Sequence, residues 1–473
     1  MAEYRGSYPY MVAWLETLGY SPDTRMSGKI SEYWGWYTAD NGWYSYRQRR
    51  GLRWFKTNRE TLYPAAMVAE AWSDLLMNEK LEITSDDQAM RNVLEAHFSD
   101  FGIAHADFVT RSFALGTGGW AINVRSVSDD GMMHPDALIE VVEYDATQVL
   151  PITWGSDDCT QCAFATRIEH GGRDYEQCQA HVLIGGTYHI LTQLFDVKSH
   201  NRVDVEGITA DLDTLSPFAT FALVKPAVPN PHFDYCAFGA SVFDKGVSSI
   251  KAVDEALTSM LVHMRVSRPR VFVDETLIEK KTTKLKNGET RSEYFAFGEA
   301  DDIVFRMKPG PENANPMNVV HPDMREAENE AAVNAGLKML AITCGLGDSY
   351  WNWDKTGGLK TATEVVSDSS MLARTLRKHQ NALRGSIGAL VRGIAGVCRS
   401  LCNEPVNPLA DIRIDFDDSV ITDTNTDKNQ ALSEISILGV PILKQKYLVK
   451  YWGMTEEEAA AAVPSETVID VGF

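Results

Sequence analysis

The sequence predicts an α+β fold in which helical and strand-rich stretches are segregated along the chain. Three observations predict it. Residues 116–224 are a succession of short β-branched and aromatic runs broken by Gly, Asp and Asn, the pattern of an antiparallel β region. Residues 241–267 place Phe243, Val247, Ile250, Leu257, Leu261 and Met264 in alternating steps of four and three, with Asp254 at the one polar position of that seam. Residues 361–403 read as one very long helix.

Each element follows in order. Residues 32–50 hold seven aromatics, a density that suits a packing surface or a subunit contact better than a ligand cage. A helix opened by Pro64 is expected over 63–83, a second over 87–98 and a third running to about Leu115. GTGGW (116–120) lacks the Gly-Lys-Ser/Thr ending of a phosphate loop and leads into a strand. After the Pro-rich stretch 225–233 comes the helix 241–267. Twenty-seven helical residues reach about 40 Å, and a 4-3 seam of that length packs against another helix side by side. Residues 268–321 break the helical pattern with several strands, and Asn287-Gly288 marks a hairpin turn. A return helix starts at Asp323, so the β insert is carried between two helices. In the long helix, Gly385, Gly388, Gly393 and Gly396 imply a bend or a close helix approach. A strand at 411–416, a polar linker and helices at 431–451 and 455–463 complete the chain.

Composition narrows the function. The 473 residues are 44% hydrophobic, enough for a substantial core. Their longest apolar runs fall far short of the ~18 residues that a membrane span needs. Seven cysteines, an odd number, without a signal-peptide core near the start suggest a reducing cytoplasm. The net charge of −20 argues against tight nucleic-acid binding, which draws on a basic footprint. It suits solubility, or a surface that lets polyanions pass.

Two motifs carry chemistry on paper. DKTGG (354–358) is one residue from DKTGT, the phosphorylation loop of P-type ion pumps, which would make Asp354 a phosphoryl acceptor. A pump without membrane spans cannot pump, so that reading is poor. Cys159, Cys162, Cys178 and His181 give C-x2-C-x15-C-x2-H, a spacing compatible with zinc. Residues three apart on a strand point to opposite faces, which favours ordinary strand cysteines. His263 reads as an interface residue, and Glu326, Glu328 and Glu330 as a channel lining or a solvated face. No Gly-Lys-Ser/Thr loop, nucleophile elbow or His-Glu-x-x-His is present, and no enzymatic activity or cofactor is expected.

The order of elements resembles the portal proteins of long-tailed bacteriophages. Several stretches resemble that family in wording too: LLMNEKLEI, YDATQVLPI, AFGASVFDKGVSSIKAVDEAL, TATEV, and DIRIDF through TEEEA. The resemblance covers most of the chain. It implies a β-rich wing (1–240), a stem of two helices (241–267 and 322–344) and a small β clip (268–321). It further implies a tunnel loop (345–360), the wing's long helix and strand (361–424) and a short helical crown (425–473). The family forms a ring of about twelve subunits at one capsid vertex. The implied role is a channel for DNA entry during packaging and exit during ejection. The implied partners are other copies of the chain, double-stranded DNA, the terminase large subunit, a head-completion or adaptor protein, and the major capsid and scaffolding proteins. No membrane partner is implied, and the location would be the virion after assembly in the host cytoplasm. Asp348, Tyr350, Trp351, Trp353, Lys355 and Lys360 would then belong to the DNA-facing loop, the aromatics brushing the duplex or packing onto a neighbour. Lys280, Lys281, Lys284, Lys286 and Arg291 would form the partner-binding tip of the clip. A minor capsid or adaptor component is the alternative within phage structure, and an aspartyl-phosphate enzyme at Asp354 the third reading.

Overall fold

Two antiparallel sheets and a set of long helices share one main hydrophobic core, with a smaller second core on the outer face of the larger sheet. The computed structural model describes residues 8–50, 53–127, 133–155, 159–205, 208–274, 280–284, 290–294, 304–307, 317–323, 325–348, 350–351, 370–416, 432–433, 435, 441–452 and 454–463. The chain is mixed α+β, as its patterning predicts.

Helices α1 (Pro9–Thr17) and α2 (Ser27–Tyr37) precede an antiparallel ribbon of β1 (Ser45–Arg50) and β2 (Arg53–Asn58). Then come α3 (Pro64–Leu76), β3 (Glu82–Ser85), α4 (Gln88–His97), the single turn α5 (Phe101–Ala104) and α6 (Ala106–Leu115). The helix expected over 63–83 therefore stops at Leu76. Met77 leaves helical geometry, and residues 82–85 pair antiparallel with a strand more than three hundred residues later. A local pattern cannot report such a distant partner. Asp87 caps α4, its carboxylate accepting from the Met90 N–H at 2.8 Å. Gly116 ends α6 in the left-handed region at φ 84°, which turns the chain straight into a strand.

The β region holds β4 (Gly118–Val127), β5 (Met133–Asp145), β6 (Val149–Trp154), β7 (Cys159–His170), β8 (Arg173–Ile184), β9 (Thr187–Asp196), β10 (Arg202–Val203), β11 (Asp211–Asp213) and β12 (Phe221–Val224). Strands β12-β4-β5 make one sheet, and β10-β9-β8-β7-β6, with β11 on β9, make the other. Period-two alternation divides the larger sheet. Cys162 and Phe164 enter the main core, whereas Ala163, Ala165, Cys178 and Val182 meet Met11, Trp14 and Leu15 of α1 in the second.

The second half of the chain is carried by α7 (Val247–Val266), the strands β13 (Arg270–Asp274), β14 (Lys280–Lys284), β15 (Thr290–Tyr294), β16 (Val304–Met307) and β17 (Met317–Val320), α8 (Glu326–Thr343) and α9 (Ser370–Ser400). β18 (Ile412–Asp415) pairs with β3, and α10 (Pro441–Trp452) and α11 (Glu456–Ala462) follow. The thirty-one residues of α9 span about 46 Å. Its glycines divide into two kinds. A Cβ on Gly393 would collide with the Ala219 carbonyl oxygen and one on Gly396 with Ser216 Oγ, so α9 lies directly on the segment leading into β12. Gly385 has open space around it.

Candidate functional site

The helix expected over 241–267 begins with a 3-10 turn at Asp244–Gly246 and becomes regular at Val247. There Gly246 passes so close to α8 that a Cβ would sit 2.7 Å from Cys344 Sγ. Helices α7 and α8 run antiparallel. The Ser249 and Thr343 hydroxyls meet at 3.2 Å near the body, and His263 Nδ1 lies 2.8 Å from Asn329 Oδ1 at the far end. Between them, Gly336 lets the helices close up: a Cβ there would lie 3.1 Å from a Val253 methyl. Phe243, Ile250 and Leu257 of the seam are buried, with Val247 packed at the core's edge. Leu261 is half-buried and Met264 is 47% exposed. The seam thus runs out of partners within the chain as it leaves the body. Val262, Val266, Met339 and Ile342 are also exposed apolar side chains on this helix pair. Glu326 and Glu328 are exposed and Glu330 half-buried at the far end of α8.

Asp254, the polar member of the seam, is buried and faces the N-terminal segment. Its carboxylate accepts from Tyr44 Oη at 2.8 Å, Thr61 Oγ1 at 2.9 Å and the Leu62 N–H at 3.0 Å. Burial pushes this carboxyl above its ordinary range, and the three donors pull it part of the way back. The residue closes the base of the β1–β2 ribbon onto α7. Sequence reading missed both the ribbon and this contact. The alternating basic residues around Arg50-Gly51-Leu52 were the available signal.

Beyond α7 and α8 the chain forms a three-stranded sheet in the order β16-β13-β17, its β13–β16 pair parallel, and a separate β14–β15 hairpin. The hairpin brackets the predicted Asn287-Gly288 turn. Lys280 is opposite Tyr294, Lys281 opposite Glu293, Thr283 opposite Arg291 and Lys284 opposite Thr290. Lys286 lies outside the described residues. Phe305, Met317, Val319 and Val320 are exposed apolar residues of this insert.

The loop after α8 starts inside the core. Trp72 Nε1 donates to the Cys344 carbonyl at 3.3 Å, Leu346 is buried, and Gly345 and Gly347 take φ 84° and 86°. A Cβ on Gly345 would lie 3.0 Å from the Thr375 methyl of α9. The chain therefore leaves α8 directly against the side of α9. Asp348 is exposed. Tyr350 and Trp351 are half-buried against the chain's own core, their rings edge to face at 5.2 Å. Burial, with Asp74 nearby, raises the Tyr350 hydroxyl above its usual range. Trp353, Asp354, Lys355 and Lys360 lie outside the described residues.

The four candidate zinc ligands do not converge. Cys162 faces His181 across the β7–β8 ladder, whereas Cys178 faces Ala165 and points into the other core. His181 is fully buried, its Nδ1 2.7 Å from Thr220 Oγ1, and burial takes its pKa down to about 3. The Cys162 thiol beside Cys159 lowers the latter, while burial raises Cys162 and Cys178. Among the described residues no group of three or more His, Cys, Asp or Glu is arranged to hold a metal ion. Nor is any helix among them long and apolar enough to cross a membrane. No protein-family model and no curated protein matches this chain.

Proposed function

We propose that this chain is a portal subunit, a ring-forming conduit for double-stranded DNA at one capsid vertex. The observation that carries the reading is the α7–α8 pair. It is rooted in a β-rich body, carries a small β insert at its far end, and ends at Gly345, which lies against Thr375 of α9. In this reading 1–240 and 361–424 are the wing, α7 and α8 the stem, 268–321 the clip and 425–473 the crown. The apolar side chains left exposed on the outer stem and the insert are of the kind that neighbouring copies cover in a ring. A chain with net charge −20 repels a duplex over most of its surface, so DNA would slide past it with few lasting contacts. The loop 345–360, with Asp348 and Lys355, would face the channel. The clip lysines would meet the terminase large subunit and later an adaptor protein, and the major capsid and scaffolding proteins would surround the wing. The energy for DNA movement would come from the terminase ATPase, and this chain would act without enzymatic activity or cofactor.

Shortening the loop tests the conduit role. Removing residues 352–357 is expected to leave assembly intact by electron microscopy and to reduce terminase-driven packaging in vitro. Undiminished packaging would mean that the loop only joins two helices.

A further inference from the structure

We infer that the β1–β2 ribbon is a docking arm that grips an acidic surface of a second copy of this chain. The inference rests on the ring reading above and adds the contact that would hold neighbouring copies. The ribbon contains Arg47, Arg49, Arg50, Arg53 and Lys56 and no acid, in a protein of net charge −20, so everything outside it carries −25. Its charges are set against one another. Arg47 lies directly opposite Lys56 in the ladder, and Arg50 is paired in register with Arg53. Like charges facing across two strands destabilise the pair. Among the described residues, no carboxylate lies within ion-pair distance of Arg47, Arg53 or Lys56.

A two-stranded ribbon exposed on both faces is marginal in water by itself. Arg53, Trp54, Phe55 and Lys56 are all exposed, and Trp54 is 65% accessible. Arginine and tryptophan are the side chains most enriched where proteins bind one another tightly. The root, by contrast, is firmly held. Asp254 fastens Tyr44 on one side and Thr61 and Leu62 on the other, and Arg59 reaches Glu255 of α7 at 3.1 Å while lying over the rings of Trp43 and Tyr46. An arm with a fixed root and an excess of basic residues, Arg47, Arg53 and Lys56 among them without a carboxylate at ion-pair distance, is preorganised for an acidic partner. The same chain supplies acidic surface in abundance. Because the basic arm and its acidic target are different parts of the chain, the contact can repeat head to tail from copy to copy, and it closes a ring when the rotation between copies closes. A nucleic acid also offers negative charge, but the remaining −25 would oppose its approach.

The test is a full-length R47E/R53E/K56E variant, with R173E/K198E, at two exposed basic positions outside the ribbon, as a charge-changed control. Self-association is followed by analytical ultracentrifugation, and folding by urea unfolding. The ribbon variant is expected to unfold like the wild type yet require about tenfold or more protein for half-assembly, the loss of roughly one ion pair. The control is expected to assemble normally. Carbodiimide treatment of mixed isotope-labelled chains should join Lys56 to a carboxylate of the other chain. Normal assembly of the ribbon variant would overturn the inference and leave the ring reading standing, and so would a variant whose only loss is binding of a fluorescent 30-base-pair duplex. Ribbon-dependent association of the wild type into open dimers would keep the inference and remove the ring. A wild type that stays monomeric would remove both.

Discussion

Replacing Asp254 with Ala removes the acceptor on which the base of the ribbon closes, and its effect can be worked from three hydrogen bonds. Tyr44 is buried, so its hydroxyl loses the carboxylate with no water to replace it, at about 1–3 kcal/mol. Thr61 and the Leu62 N–H are half-buried and can rehydrate, so each loses about 0.5–1.5 kcal/mol. Removing a carboxyl that burial disfavours returns part of this. The net destabilisation is expected at about 2–4 kcal/mol, read from the urea midpoint with unchanged slope. Asp254→Asn keeps one acceptor oxygen and can donate to the two hydroxyls, so it should lose less than half as much. The folded carboxyl titrates above its ordinary 3.8, so the folded state holds the proton more tightly. The stability of the wild type relative to Asp254→Asn should therefore fall as pH rises from about 4 through the folded value. An Asp254→Ala variant within about 0.5 kcal/mol of the wild type would refute the reasoning.

Two further predictions concern the core. Gly393→Ala should cost about 1–3 kcal/mol, because the new methyl strikes the Ala219 carbonyl, whereas Gly385→Ala should stabilise by about 0.5–1 kcal/mol. Thermal unfolding of the two variants should move in opposite directions. Burial lowers His181 to about 3 and His379 to about 4, so both are neutral in the fold and charge only on unfolding. Stability should decline as pH falls below about 6.5, and His379→Gln should flatten that decline in pH-dependent urea titrations.

Legibility in the sequence followed the range of the interactions. The seam of α7, the helix starting near Asp87, the Gly116 turn into a strand and the hairpin around Asn287-Gly288 depend on neighbours a few residues apart, and the pattern shows them. The glycines of α9 imply a bend or a close helix approach, whereas Gly393 and Gly396 lie against the non-helical segment 216–219, which is far away in sequence. The strand at 82–85 was read as helix because its partner, Ile412–Asp415, lies at the other end of the chain. Asp254 was visible as a polar residue in an apolar seam, yet its hydrogen-bond donors come from residues 44–62. For the candidate loop, the glycines were legible, while the meeting of Gly345 with Thr375 and the packing of Tyr350 and Trp351 on the chain's own core required the fold.

The central claim is that copies of this chain close into a ring around a channel. Negative-stain electron microscopy of the purified protein, with native mass spectrometry of the same sample, tests it most directly. Twelve copies of 52.6 kDa would weigh about 630 kDa. The expected result is a ring of about that mass with a stain-filled centre, persisting across moderate changes of salt. A particle that remains at the mass of one chain at micromolar concentration under all these conditions would contradict the account.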